Sequence, residues 1–212
     1  MTVIKFGDKA VELPGIEKAY IGSTQVYGVP SEYRKLTGLT FNAATYYEIT
    51  GFRLKGSDTL RISFSVTKAC NVIGCYTTTS ASTNYSLYVS TSSGAKYLRY
   101  DGQTYNSYFP SASLNMRKDV VISPTGSSGM PTSESWTERS FTAESDFCIG
   151  TTSASATSSK LSGNVWGDIV VDGRFRGVPV ERISDSKRGY YDLYTDTFYA
   201  PIGSNPSAIG YA

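Results

Sequence analysis

Carboxylates are the side chains here whose type and spacing could do chemistry. The chain has no histidine, which removes Ser-His-Asp and Cys-His catalysis and histidine-based zinc sites. A pair of carboxyl groups flanking a glycosidic bond remains open on that ground. Glu134 and Glu138 lie in Ser133-Glu-Ser-Trp-Thr-Glu-Arg139, and Glu144 and Asp146 in Glu-Ser-Asp. On a strand, residues two or four apart share a face, so either pair could meet. Solvated carboxylates beside a loop are the commoner outcome, and no catalytic residue is assigned. Asp168, Asp172, Asp192 and Asp196 all fall near turn signals. A calcium site needs several oxygens converging on one ion, and no loop spacing ties these four together. Aspartate caps turns through its own backbone, so neither a metal nor a cofactor is expected.

The tyrosines offer a different chemistry. Tyr85, Tyr88, Tyr97, Tyr100, Tyr105 and Tyr108 fall within one short stretch of the 17 tyrosines in the chain. If Asp101-Gly102 turns the chain back, several of these rings cluster across neighbouring strands. Aromatic faces beside Asn and Asp suit sugar rings, which offer apolar C–H patches edged by hydroxyls. These six are the expected ligand-binding residues. Cross-strand aromatic packing that stabilises the sheet is the plainer role for any one of them.

The elements that must carry these residues are strands. In Asp58-Thr-Leu-Arg-Ile-Ser-Phe-Ser-Val66, the residues Leu60, Ile62, Phe64 and Val66 alternate with Thr59, Arg61, Ser63 and Ser65. That is one dry and one wet face, as in an antiparallel sheet covered on one side. Strand patterns also cover 36–41, 46–52, 85–89, 96–100, 119–123, 136–141, 147–150, 165–171, 174–180, 190–194 and 197–199. Cys70-Asn-Val-Ile-Gly-Cys-Tyr76 reads as a buried strand with Gly74 at a bulge or close approach. Asp101-Gly102 and Asp172-Gly173 mark hairpins, and Thr195-Asp196 a further tight turn. Residues 77–84, 124–135 and 151–162 read as polar loops, and 201–212 as a closing segment with Gly, Pro and little charge. No segment keeps helical periodicity over three turns. The predicted fold is all-β: a two-sheet antiparallel sandwich with a short N-terminal β-hairpin appendage. Residues 1–29 form the appendage, with Lys18-Ala-Tyr-Ile21 and Gln25-Val-Tyr27 flanking Gly22-Ser-Thr24. Residues 30–212 form the main domain.

Composition narrows the partners. Net charge is +2 with only 18% charged residues, which argues against a nucleic-acid binder needing a basic patch. Cys70, Cys75 and Cys148 are an odd count without repeating spacing, so half-buried thiols in a reducing compartment are expected. Met1-Thr-Val-Ile-Lys-Phe-Gly7 has no charged head before a long apolar run, and no apolar stretch is long enough to span a bilayer. Neither export by the general secretory route nor membrane insertion is therefore expected. The sequon Asn84-Tyr-Ser86 then has no role.

The run Gly189-Tyr-Tyr-Asp-Leu-Tyr-Thr-Asp-Thr-Phe-Tyr-Ala-Pro-Ile-Gly203 resembles the closing motif of concanavalin A-like, LamG-type jelly-roll modules of tailed-phage and prophage virion proteins. Val178-Pro-Val-Glu-Arg182 fits the strand that precedes it in those modules. The segment 84–108 and Cys148-Ile-Gly-Thr-Thr-Ser153 are similar to the same group. Ala19-Tyr-Ile-Gly-Ser-Thr-Gln-Val-Tyr27 resembles short N-terminal pieces of phage virion proteins. The resemblance implies a two-sheet jelly roll on a virion, in a tail fibre, tail tip or capsid fibre, that often touches host-surface polysaccharide. It implies attachment to other virion proteins through the N-terminal segment, assembly in the host cytoplasm, and a homo-oligomer, the family's fibre parts being usually trimers. It hands over no ligand residue. The Glu-x-Asp-x-x-Glu motif of the laminarinase-like jelly rolls is absent, so the expected role is non-enzymatic. The alternatives are a purely structural decoration or joining protein of the virion and a carbohydrate-binding module of a bacterial surface protein.

Overall fold

The alternation over residues 60–66 becomes a central strand in a computed structural model of the chain. β7 (Leu60–Val66) lies between β12 (Lys118–Ser123) and β15 (Ser162–Val171). Its four apolar side chains are buried, Arg61 is exposed and Ser63 half-buried. Ser65 departs from the pattern and is buried on the polar face. The structure describes all residues except 1, 7–8, 14–18, 22–23, 77–83, 90–96, 101–102, 106–113, 130–134, 136, 139 and 155–158, and the backbone alone of the other residues in 2–27 and 97–105.

The described strands build two antiparallel sheets. The larger has the order β13 (Gly126–Ser128), β12, β7, β15, β5 (Tyr33–Asn42), β16 (Phe175–Arg182), β17 (Arg188–Asp192), β18 (Thr197–Tyr199), with β20 (Ser207–Tyr211) also on β5. The smaller has the order β11 (Gln103–Tyr105), β10 (Tyr97–Tyr100), β9 (Tyr85–Val89), β8 (Cys70–Cys75), β14 (Phe147–Ile149), β6 (Thr45–Ile49), β19 (Ile202–Gly203). Two ribbons stand apart in pairing: β1 (Thr2–Phe6) with β2 (Lys9–Leu13), and β3 (Ala19–Ile21) with β4 (Thr24–Tyr27).

Alternating apolar residues from both sheets meet in one core. Aromatic rings cross it edge to face, which suits their quadrupoles. Phe41 of the larger sheet meets Tyr47 of the smaller at 5.8 Å, and Tyr47 meets Tyr190 of the larger at 5.0 Å. Phe147 and Phe175 repeat the contact at 6.0 Å. A smaller cluster of Val29, Val178, Val180 and Tyr191, with Tyr33, Leu193 and Phe198, packs separately. Val178 and Val180 alternate with core-facing Phe175 and Gly177 along β16, so this cluster lies on the outer face of the larger sheet.

Pro179 stands inside β16, where a missing N–H ought to break a ladder. One edge of β16 changes partner at this point. It pairs with β15 up to Gly177 and with β5 from Val180 onward. Pro179 occupies the gap between the two ladders, so no ladder bond is lost there.

Four expectations are corrected. Residues 201–212 are not a plain closing segment: β19 joins β6 of one sheet and β20 joins β5 of the other, so the last residues stitch the two sheets together. Residues 124–135 contain β13, which pairs back onto β12 across Pro124-Thr125. The expected strand at 136–141 does not form among its described residues. The Phe141 carbonyl instead accepts from Gly56 N–H at 2.9 Å, and Ala143 N–H donates to Leu54 at 2.8 Å, tying this stretch to an irregular segment. The Asp172-Gly173 hairpin has three loop residues, since Val171 pairs with Phe175. Only Gly173 takes a positive φ, 69°, so the turn has the type II requirement of one left-handed residue and not the type I′ requirement of two.

Candidate functional site

Of the six tyrosines, the side chains of Tyr85 and Tyr88 are described. Tyr85 is fully buried in the core beside Leu87 and Val89, which corrects its place among the ligand-binding residues. It starts β9 on the core face, where an amphipathic ring fills the interior. Tyr88 is half-buried on the alternate row. The register sets Tyr97 opposite Tyr88 and Tyr100 opposite Tyr85. These pairs are three positions apart on each strand, an odd spacing, so they occupy alternate rows. Tyr105 stands opposite Leu98. Tyr100 and Gln103 pair, the register of a two-residue connection; Asp101, Gly102 and Tyr108 lie outside the described residues.

Asp146, Asp168, Asp172 and Asp192 each have partners of their own. Asp146 accepts from Gly51 N–H at 2.9 Å and Arg53 Nε at 3.4 Å, while Glu138 and Glu144 are exposed. Glu134 lies outside the described residues. Asp172 pairs with Arg61 and Asp168 with Arg176, both at 2.7 Å. Asp192 accepts from Arg176 N–H at 2.9 Å, Tyr194 N–H at 3.2 Å and the Thr195 hydroxyl at 2.7 Å. It is a turn cap and buried, the role expected of aspartate beside a tight turn. Among the described residues no three Cys, Asp or Glu side chains gather where an ion could sit. The thiols of Cys70, Cys75 and Cys148 are free and buried. Burial pushes Cys70 up to about 11 and Cys148 up to about 12, so neither is a nucleophile near neutral pH.

The outer face of the larger sheet brings together residues that no local motif links. On β15, Val165 enters the core and Trp166 turns outward, half-buried. Register then lines up one transverse row across five strands: Gly210, Gly38, Trp166, Ser63 and Asp119. The next row holds Ser207, Thr40, Asn164 and Ser65. Thr40 donates its hydroxyl to Asn164 Oδ1 at 2.7 Å.

One side of Trp166 is made low by glycine. A Cβ on Gly38 would stand 2.4 Å from the Val165 carbonyl oxygen and 2.8 Å from Ile209 Cδ1. Only glycine lets Ile209 lie down over β5 at this row. The bulge between Ala208 and Gly210 supplies the extra residue that places it there. On the other side stand polar groups. The Ser63 hydroxyl donates to Asp119, and Arg117 donates from Nε to the same carboxylate at 3.0 Å. The Arg117 guanidinium carbon lies 5.7 Å from the Trp166 ring centroid. The Ser63 hydroxyl, with Arg117 in support, holds the Asp119 carboxyl below its usual range. Arg117 and Asp119 are both well exposed, at 55% and 70% of their side-chain surface.

No local motif marks this face, because its members come from residues 38, 63, 117, 119, 166 and 209. The local signal was present in the wet half of the β7 alternation, Arg61 and Ser63, beside a strand carrying a tryptophan. Nothing local says that Trp166 and Ser63 share a row. Comparison with protein-family models, curated proteins and solved structures gives no match.

Proposed function

We propose that the chain is a non-enzymatic structural protein of a tailed-phage particle, whose jelly-roll domain contacts glycans on the host surface. The phage setting rests on the resemblance of residues 189–203. That run forms the β17–β18 hairpin, at the edge of the larger sheet. The glycan contact is carried by one observation: the outer face of the larger sheet holds a tryptophan set among hydroxyl, amide and ion-paired groups. Sugar hydroxyls both donate and accept, and such a mixture serves both needs. The N-terminal β3–β4 hairpin is the attachment piece and the homo-oligomer the working form.

The test is binding of the purified chain to whole bacterial cells and to their extracted surface polysaccharide, with oligomer state followed by light scattering. Saturable binding competed by free polysaccharide supports the reading. An oligomer that binds neither cells nor glycan overturns it. That result favours the second reading, a decoration or joining protein. The second reading has its own support in the aromatic group on the outer face: Tyr33 lies 5.1 Å from Tyr191 and 5.3 Å from Phe198. Ile183, just beyond β16, is 53% exposed. Tyr191 is itself buried, so Ile183 with the half-buried Tyr33 and Phe198 is the apolar surface left for subunits to bury against one another.

A further inference from the structure

We infer that the Trp166 row is a subsite for an uncharged pyranose, with Trp166 and Ile209 as its apolar floor and Ser63, Asp119 and Arg117 as its hydroxyl-binding edge. This rests on the reading of the domain as a glycan-contacting module and names where the sugar sits and what kind it is. A pyranose presents two unlike surfaces. One ring face gathers axial C–H groups and is apolar; the rim carries hydroxyls. The row has the same division in the same order. Ile209 and the indole of Trp166 give the apolar part, kept low by Gly38 and Gly210. Ser63, Asp119 and Arg117 follow directly on the next two strands and on the residues leading into β12.

The edge suits hydroxyls in particular. The Asp119 carboxylate accepts and the Arg117 guanidinium donates, and the two are joined at 3.0 Å. Adjacent sugar hydroxyls need an acceptor and a donor side by side, and charged partners make the stronger bonds. The carboxylate has spare acceptor capacity beyond the Ser63 and Arg117 bonds, because two oxygens offer about four lone-pair directions. Arg117 reaches Ser63 with Nη2 at 3.3 Å and Asp119 with Nε, which leaves further N–H groups for a ligand.

The neutral class follows from the charge count. The charged residues around the row come in opposite pairs: Arg117 with Asp119, Arg61 with Asp172, and Arg176 with Asp168. Arg61 stands two residues from Ser63 on β7, and Asp168 two residues from Trp166 on β15. No unpaired cation of this set is left to select a uronic or sialic acid carboxylate, and Asp119 repels one. Steering by net charge is therefore weak, and binding follows stacking and hydrogen bonding.

The test uses the full chain carrying Trp136→Phe. Two tryptophans are present in the sequence, so this leaves Trp166 as the sole indole reporter. The probes are neutral polysaccharides (dextran, mannan and a soluble β-glucan) against an acidic set (alginate and polygalacturonate). The expected result is a saturable change of Trp166 emission with at least one neutral polysaccharide and none with the acidic ones. Its Kd should change less than about twofold between about 0.05 and 0.5 M NaCl. Trp166→Ala, which removes the reporter and is therefore compared with the unsubstituted chain by titration calorimetry, should weaken binding at least about tenfold, as the loss of a central aromatic anchor does. Asp119→Asn, at an exposed position where the fold is undisturbed, should weaken it about tenfold by removing the charged acceptor. Preference for acidic polysaccharide with steep salt dependence overturns the neutral class. Neutral binding that neither substitution weakens overturns the site. Cells bound without any neutral polysaccharide overturn this inference and leave the glycan-contacting reading standing; cells and glycans both unbound overturn the two together.

Discussion

Phe175 stands where three rings meet: Phe52 at 5.4 Å, Phe147 at 6.0 Å and Tyr199 at 6.4 Å. It is fully buried, and its neighbours come from both sheets, so no single neighbour can collapse into the space it fills. Phe175→Ala should cost about 3–5 kcal/mol, read as a lower urea midpoint at unchanged slope. The buried thiols make a second residue-scale prediction. Their native pKa values are raised, to about 11 for Cys70 and about 12 for Cys148, while an unfolded thiol ionises near about 8.5. Below the unfolded value both states hold the proton and stability is unaffected. Above it the unfolded chain releases the proton first, and each thiol lowers stability by about 1.4 kcal/mol per pH unit until the native thiol also ionises. Urea midpoints should fall steadily from about pH 9 to about pH 11, and Cys70→Ala should make that fall shallower. A flat profile over this range would show that the thiols are open to solvent.

At the scale of elements, the C-terminal strand is held by a buried carboxylate. Glu181 on β16 stands opposite Arg34 on β5 and Arg188 on β17. Arg188 Nε donates to it at 2.9 Å, and Arg34 lies at 3.7 Å. The same arginine donates from Nη1 to the Pro206 carbonyl at 3.0 Å, and Arg34 lies 4.9 Å from the Tyr211 ring centroid. Glu181 thus orients two guanidiniums that grip both ends of β20. Removing one partner of a buried pair leaves the others uncompensated; here the half-exposed arginines soften the cost. Glu181→Gln should lower stability by about 2 kcal/mol. It should also speed hydrogen exchange at the amides of 207–211 more than in β7. Equal acceleration in both strands would mean that β20 is held by its ladder alone. The β20 ladder is interrupted by register shifts on both sides of Gly210 and has one partner strand, which is why a side-chain clasp matters for this strand more than for β7, which is paired on both edges and has an unbroken ladder with β12.

The whole molecule is assembled from distant pairs. β5 pairs with β15, more than a hundred residues later, and with β20 at the far end of the chain. Loop-closure entropy is lost before such pairs form, so non-local β topologies fold slowly. Refolding from urea should proceed on the order of 1 s⁻¹ or slower, read by tryptophan emission after stopped-flow dilution. Completion within a millisecond would contradict folding that waits on the long-range β5–β15 and β5–β20 pairs.

The strand class of this chain was legible locally. Alternation with period two is written into consecutive residues, so β7 could be read from Leu60-Arg-Ile-Ser-Phe, while β8 and β9 could be read from the short apolar runs Cys70–Cys75 and Tyr85–Val89. Turn chemistry is equally local, and Asp192 does cap the turn its neighbours announce. Pairing is not local. Ser207–Tyr211 has little alternation of its own and becomes a strand because the edge of β5 accepts it. Residues 136–141 have a strand-like composition, and their described part finds irregular partners instead. Face assignment follows pairing: Tyr85 reads as a surface aromatic beside Asn84 and Ser86, and only packing of the two sheets buries it. The row through Gly38, Ser63, Asp119 and Trp166 belongs wholly to the tertiary structure. Sequence determines which side chains alternate along a strand, because that depends on the backbone of a few residues; which strands lie side by side depends on the burial of a core shared by the whole chain.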